Sequence, residues 1–208
     1  MQNKGKSTWG RIWYFIWKDD SVWSWIVNII LAFLLIKFIV YPGLGFVLGT
    51  DYPVVAVVSG SMEHDGSFDD WWNSDNCCKD RICAQSKTQE MMYSDYEIAK
   101  ADFMNFPYEN GFNKGDIMIL QSGKKVRVGD VIVFTVPAQS DPIIHRVVKV
   151  SEADGEYYYS TKGDHNCGSS PFEQNIQQSR VLGKALQRVP FLGWIKIIFV
   201  EIISIFKW

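Results

Sequence analysis

With 208 residues, 47% of them apolar, and a net charge of −2, the chain can build one folded domain with a sizeable core plus membrane elements, whereas two domains would be a squeeze. Acidic and basic residues are dispersed, so no basic footprint points to nucleic acid as a partner. Residues 1–20 carry Lys4, Lys6, Arg11 and Lys18, and Trp9, Trp13 and Trp17 recur every fourth residue, which lines one helical face with aromatics suited to a membrane surface. Val22 to Val40, "VWSWIVNIILAFLLIKFIV", is an almost continuous apolar run, and about twenty such residues cross a bilayer. A transmembrane helix is therefore expected over 21–41, with Lys37 snorkelling outward from its end. The basic residues ahead of it put the N-terminus in the cytoplasm and the domain that follows outside, in a protein of the cell membrane that passes once, or twice if the C-terminal run also spans. A cleavable signal peptide fits less well, because its apolar region would be roughly 7–15 residues and end in a small-residue cleavage site.

After Pro42 the pattern changes to short β-branched stretches between Gly, Asp and Pro. "PVVAVV" (Pro53 to Val58), "GDIMIL" (Gly115 to Leu120), "GDVIVFTV" (Gly129 to Val136), "PIIHRVVKV" (Pro142 to Val150), "EYYYST" (Glu156 to Thr161) and "RVLGKALQRV" (Arg180 to Val189) all read as strands. Residues 42–189 are thus expected to form a mainly β extracytoplasmic domain. A polar stretch rich in Asp, Trp and Cys, 64–113, interrupts the strands as an insertion. The last segment, 190–208, is a C-terminal apolar, membrane-associated helix. Its run Phe191 to Phe206 is sixteen residues, about 24 Å as a helix against a hydrocarbon core of about 30 Å, so membrane contact is expected and spanning stays open.

The chemistry centres on "VVSGSMEH", Val57 to His64. A serine hydroxyl becomes a useful nucleophile only beside a base, and acyl transfer also needs donors preformed for the oxyanion. Of the three histidines, His64, His145 and His165, His145 lies inside an apolar strand with Ile143 and Val147 on its face. Partial desolvation there disfavours the charged ring and keeps it available as a general base. Asp164, in "TKGDHN" after the next strand, suits the acid that orients such a histidine.

A membrane span followed in order by "SGSME", "GDIMIL", "VGDVIVF", "IIHRVVKV" and "TKGDHN" resembles the type I signal peptidase family, and within it the archaeal and endoplasmic-reticulum branch, where histidine replaces the lysine base of the bacterial enzymes. The resemblance covers the span and most of Pro53 to Lys196 apart from the insertion. It implies a signal-peptidase-type β catalytic domain at the outer membrane face, a serine endopeptidase that removes signal peptides from exported preproteins after a small residue. By motif, Ser61 matches the nucleophile, His145 the base, Asp164 the acid and Ser59 the hydroxyl that assists the Ser61 N–H in the oxyanion hole. The implied partners are signal peptides of preproteins and the lipid bilayer, with accessory subunits undefined, and no cofactor is implied. Two positions depart from the family: His64 stands where proline is usual, and Ser170 falls where a second aspartate is common, with Glu173 nearby as its substitute.

Three other readings are a self-cleaving serine/lysine protease of the LexA type, an inactive membrane-anchored binding subunit, and a metal site from His64, His165 and the cysteines. The long span and the histidine base oppose the first, the presence of both Ser61 and His145 the second, and the lack of CxxC or HxxxH spacing the third. All four cysteines, Cys77, Cys78, Cys83 and Cys167, fall on the outer side, where disulfides persist. Adjacent Cys77 and Cys78 would strain a mutual bond, so either remaining pairing ties the insertion to the Asp164 loop, unless all four are reduced. A tethered insertion would hold exposed Trp71 and Trp72 beside the cleft, to guide substrate or touch lipid.

Overall fold

The computed structural model describes residues 7–74, 87–137, 139 and 141–205, and divides at Val47/Leu48 into two units. The N-terminal unit is helical: α1 (Thr8–Trp17), α2 (Val22–Leu35), a π-helical turn (Ile36–Val40) and α3 (Tyr41–Leu48). Ser21 caps α2 by accepting the Ser24 N–H at 3.3 Å. Ser24 Oγ and Asn28 Nδ2 donate to the Phe15 and Ile16 carbonyls at 2.6 and 2.9 Å, satisfying two of the acceptors that the end of α1 leaves unpaired.

Helical structure runs without a break through the expected boundary at 41, so Val22–Leu48 is one apolar helix of 27 residues, long enough to cross a membrane. Pro42 would ordinarily end it. The π-helical turn just ahead, in which the Tyr41 N–H reaches the Ile36 carbonyl, absorbs the mismatch, since proline has no N–H to return and its ring crowds the preceding turn.

The second unit is built on a seven-stranded antiparallel sheet in the order β1-β2-β7-β3-β4-β5-β6. The strands are β1 (Val54–Ala56), β2 (Ile117–Gln121), β3 (Val131–Phe134), β4 (Ile143–Ala153), β5 (Glu156–Lys162), β6 (Ile176–Gln177) and β7 (Val181–Val189). All six stretches read as strands from the sequence hold one, and the two-residue β6 is additional. One cluster, around Met62, Phe112, Met118 and Leu120, underlies the β1 end; another, around Ile132, Phe134, Val147 and Tyr159, fills the other side of the sheet.

Among the described residues between β1 and β2 lie three short helices, α4 (Phe68–Trp72), α5 (Gln89–Ser94) and α6 (Lys100–Phe103). Ser67 and Asp70 form a capping box at α4, and Thr88 caps α5. Contrary to expectation, Trp71 and Trp72 are buried, at 0% and 1% exposure. Their rings pack with Tyr93, Phe103 and Val148 in a third core cluster, so they face neither solvent nor lipid. Cys77, Cys78 and Cys83, and with them the expected tether to Cys167, lie outside the described residues.

The C-terminal helix α7 (Trp194–Ile205) has 12 residues. The Gly193 N–H bonds the Gly115 carbonyl at 2.8 Å, and Trp194 stacks where a Gly115 side chain would be, 2.0 Å from its indole Nε1. Gly115, with φ +91°, fits as glycine on both counts.

Candidate active site

β1 leads directly into a tight turn closed by the Glu63 N–H on the Gly60 carbonyl at 3.1 Å. Met62 is fully buried among Val57, Phe112 and Met118 and anchors that turn in the core, leaving Ser61 half-buried at its edge. A Cβ at Gly60 would stand 2.8 Å from the Glu63 carboxylate, whose other oxygen accepts the Lys114 N–H at 2.9 Å. Glycine is what lets Glu63 fold back over the turn.

Ser61 Oγ lies 2.9 Å from His145 Nε2, and on the far side of the ring His145 Nδ1 is bonded to Glu173 Oε1. With an ionised carboxylate at Nδ1, that nitrogen carries the proton and Nε2 presents its lone pair to the serine hydroxyl. His145 sits in β4 opposite Ile132 of β3 and is almost fully buried. Glu173 closes a single 3₁₀ turn, Pro171–Glu173, and is fixed in place by the Ser170 N–H on Oε2 at 2.8 Å and the Thr161 hydroxyl on Oε1 at 3.3 Å. Ser59 Oγ is 3.2 Å from Ser61 Oγ, so both serines of the turn share one edge.

Asp164 is not brought to His145, against expectation. Its carboxylate accepts Arg146 Nε at 2.9 Å and Nη2 at 2.7 Å, the Tyr93 hydroxyl at 2.7 Å and His64 Nε2 at 3.0 Å. The reason is strand alternation: successive side chains of β4 point to opposite faces, and Asp164 lies on the face of Arg146 while Glu173 lies on that of His145. Burial alone would push the Asp164 carboxyl up; the Arg146 guanidinium, with hydrogen bonds from His64 and Arg146, outweighs it and holds the group well below the usual carboxylate range. The guanidinium is itself fully buried, bonded to the carbonyls of Pro107, Tyr108 and Gly129 at 2.7, 2.8 and 2.9 Å, with its centre 4.6 Å above the Phe103 ring. Burial and the neighbouring Asp164 push the Tyr93 hydroxyl well up, so it stays a neutral donor. Sequence reasoning passed over Arg146 and Tyr93. An arginine inside an apolar strand was the available signal, because a buried guanidinium demands a carboxylate partner.

A mainly β domain thus joins a serine, a histidine and a carboxylate in one row, in a chain that also holds an apolar helix of membrane-crossing length. No family model matches the sequence. Similar proteins include signal peptidase complex catalytic subunit SEC11C of Homo sapiens, 36% identical over 98 residues, which are 43% of this chain and 51% of that protein. Signal peptidase complex catalytic subunit SEC11 of Colletotrichum graminicola is 30% identical over 101 residues, 45% of this chain and 59% of the relative. The sec11 subunit of Schizosaccharomyces pombe is 29% identical over 178 residues, 83% and 79% of the two chains. The chain spans about half the length of SEC11C. SEC11 signal peptidase complex catalytic subunits are thus homologues of this chain at modest identity.

Proposed function

We propose that this chain is a membrane-bound serine endopeptidase that removes N-terminal signal peptides from exported preproteins, with Ser61 as nucleophile, His145 as general base and Glu173 as the carboxylate that orients the base. The row Ser61–His145–Glu173 carries this reading, in a homologue of signal peptidase catalytic subunits. His145 Nε2 takes the Ser61 proton as Oγ attacks the scissile carbonyl. The oxyanion so formed is met by the Ser61 N–H and the Ser59 hydroxyl. His145 then returns the proton to the leaving amine, and the mature chain departs from a Ser61 ester that water hydrolyses by the same route in reverse order. Residues 21–48 anchor the chain, with the N-terminus cytoplasmic and the β domain, 49–189, outside. The 64–113 segment is an insertion into that domain, and α7 makes a second membrane contact.

The test is incubation of the detergent-solubilised chain with a synthetic preprotein and mass spectrometry of the products. Cleavage at one site after a small residue is expected, and Ser61→Ala or His145→Ala should each remove it by orders of magnitude without adding to one another. Ser59→Ala should cost less, about 10²–10³-fold. Normal processing by the His145→Ala variant would exclude this base.

A further inference from the structure

The turn that bears Ser61 is bonded residue by residue to the loop after β5. The Ser61 carbonyl accepts the His165 N–H at 2.8 Å, Met62 Sδ accepts the Asp164 N–H at 3.4 Å, the Glu63 carbonyl is 3.2 Å from His165 Nδ1, and His64 Nε2 is 3.0 Å from Asp164 Oδ2. His64 closes this row. Its side chain is 2% exposed, and its ring lies flat on Trp71 of α4, centroids 3.6 Å and planes 5° apart. The far end of the same segment presses on it too: Gly111, with φ +66°, has no room for a Cβ, which would stand 2.6 Å from His64 Cδ2 and 2.4 Å from the Met62 carbonyl. Because Asp164 is ionised, Nε2 is the protonated nitrogen, and Nδ1 is left buried with no hydrogen-bond partner among the described residues. A polar atom buried unpaired is costly. The ring is therefore held for the bond it makes through Nε2 rather than for apolar packing, which a hydrocarbon ring would supply without the orphan.

We propose that His64 is a positioning residue of the catalytic centre. His64, Asp164 and Arg146 form a second chain of hydrogen bonds alongside Ser61–His145–Glu173, running from the nucleophile's turn to the residue adjacent to the base. Ser61 belongs to no strand, so its distance from His145 depends on what ties its turn to β4. Met62 secures the turn to the core, and the His64–Asp164–Arg146 chain secures it to β4 itself. Trp71 of α4, Tyr93 of α5 and Gly111 in the loop before β2 hold that chain in place, so the region between β1 and β2 supports the site and is not an appendage to it. This role rests on the proposed assignment of Ser61 and His145.

The experiment uses the full chain in detergent with two variants. His64→Phe keeps a ring on Trp71 and removes the donor; His64→Gln places an amide N–H near the position of Nε2. Ser61 reactivity is read as the rate of phosphonylation by a fluorophosphonate, followed by intact mass, together with kcat and KM on a synthetic preprotein and the melting temperature. His64→Phe should lower both labelling and kcat, by about ten- to a hundredfold as small misplacements of reacting groups do, at unchanged KM and melting temperature. His64→Gln should recover most of the loss. Labelling and kcat of His64→Phe equal to wild type would overturn the proposal, as would a glutamine variant that folds but is as slow as the phenylalanine one. If His64→Phe does not fold, the glutamine variant decides alone, near-wild-type labelling supporting the hydrogen bond and a tenfold loss in a folded chain overturning it. A wild-type chain labelled no faster than Ser61→Ala would instead overturn the nucleophile assignment beneath the proposal.

Discussion

Asp164 and Glu173 are both buried, and each has a different cation or ring to hold. The two should therefore separate on mutation. Glu173→Ala removes the group that fixes the His145 tautomer and is expected to slow processing by roughly 10³–10⁴-fold, the scale of losing a triad acid. Asp164→Asn leaves the Arg146 guanidinium buried against a neutral amide, so its first effect is on stability, about 3–5 kcal/mol by denaturant titration. Processing rates and denaturation midpoints of the two variants, measured side by side, check the division. The same residue sets an acid limit. The folded-state pKa of Asp164 lies below its unfolded value, so its ionised pair contributes fully above about pH 4 and is lost as the pH falls further toward the folded value. Melting temperature should drop with pH below about 4 in the wild type, and the slope should flatten in Asp164→Asn.

The loop after β5 shows how an element carries the chemistry. A Cβ on Gly163 would stand 2.8 Å from His145 Nε2 and 2.6 Å from Asn166 Nδ2, and the backbone there is one that alanine can adopt. Gly163→Ala should thus spare the fold and displace the ends of those two side chains, costing on the order of a hundredfold in processing at an unchanged melting temperature. Much of this framework was legible in the sequence. The strands show because β-branched residues alternate between Gly and Asp turns, and Ser61 and His145 show because a hydroxyl needs a base and only His145 sits in an apolar strand. Glu173 was legible only as a neighbour of the position where the family places a second acid; what brings it to the ring is the single turn after Ser170, which follows no periodic pattern. The burial of Trp71 and Trp72 was hidden for a related reason. α4 is five residues long, too short to display an apolar face, and its partners, Tyr93, Phe103 and Val148, come from three other elements. The continuation of the membrane-length helix past Pro42 depends on a local π turn, a rearrangement that proline in the sequence argues against rather than for.

On the scale of the whole molecule, each unit carries its own apolar surface. The first presents the Val22–Leu48 helix, with none of its most apolar window buried. The second has its own cores and also leaves Phe191, Ile195 and Phe199 at 70%, 69% and 63% exposure, beside exposed Leu192, Ile198 and Ile202. At about 1.5–3 kcal/mol for each large apolar side chain taken wholly out of water, several half-exposed ones together can hold a domain on a bilayer. With 12 residues, α7 is about 18 Å long, well short of a hydrocarbon core of about 30 Å, and it carries Lys196 and Glu201. The second membrane contact proposed for α7 would on this length and composition lie along the interface. Residues 48–208, produced without the first unit, are accordingly expected to float with phosphatidylcholine liposomes on a density gradient. Substituting aspartate at both Ile195 and Phe199 should send the fragment to the soluble fraction while its circular dichroism stays the same. A fragment that remains soluble without those substitutions would exclude α7 as a membrane contact and leave Val22–Leu48 to anchor the chain by itself.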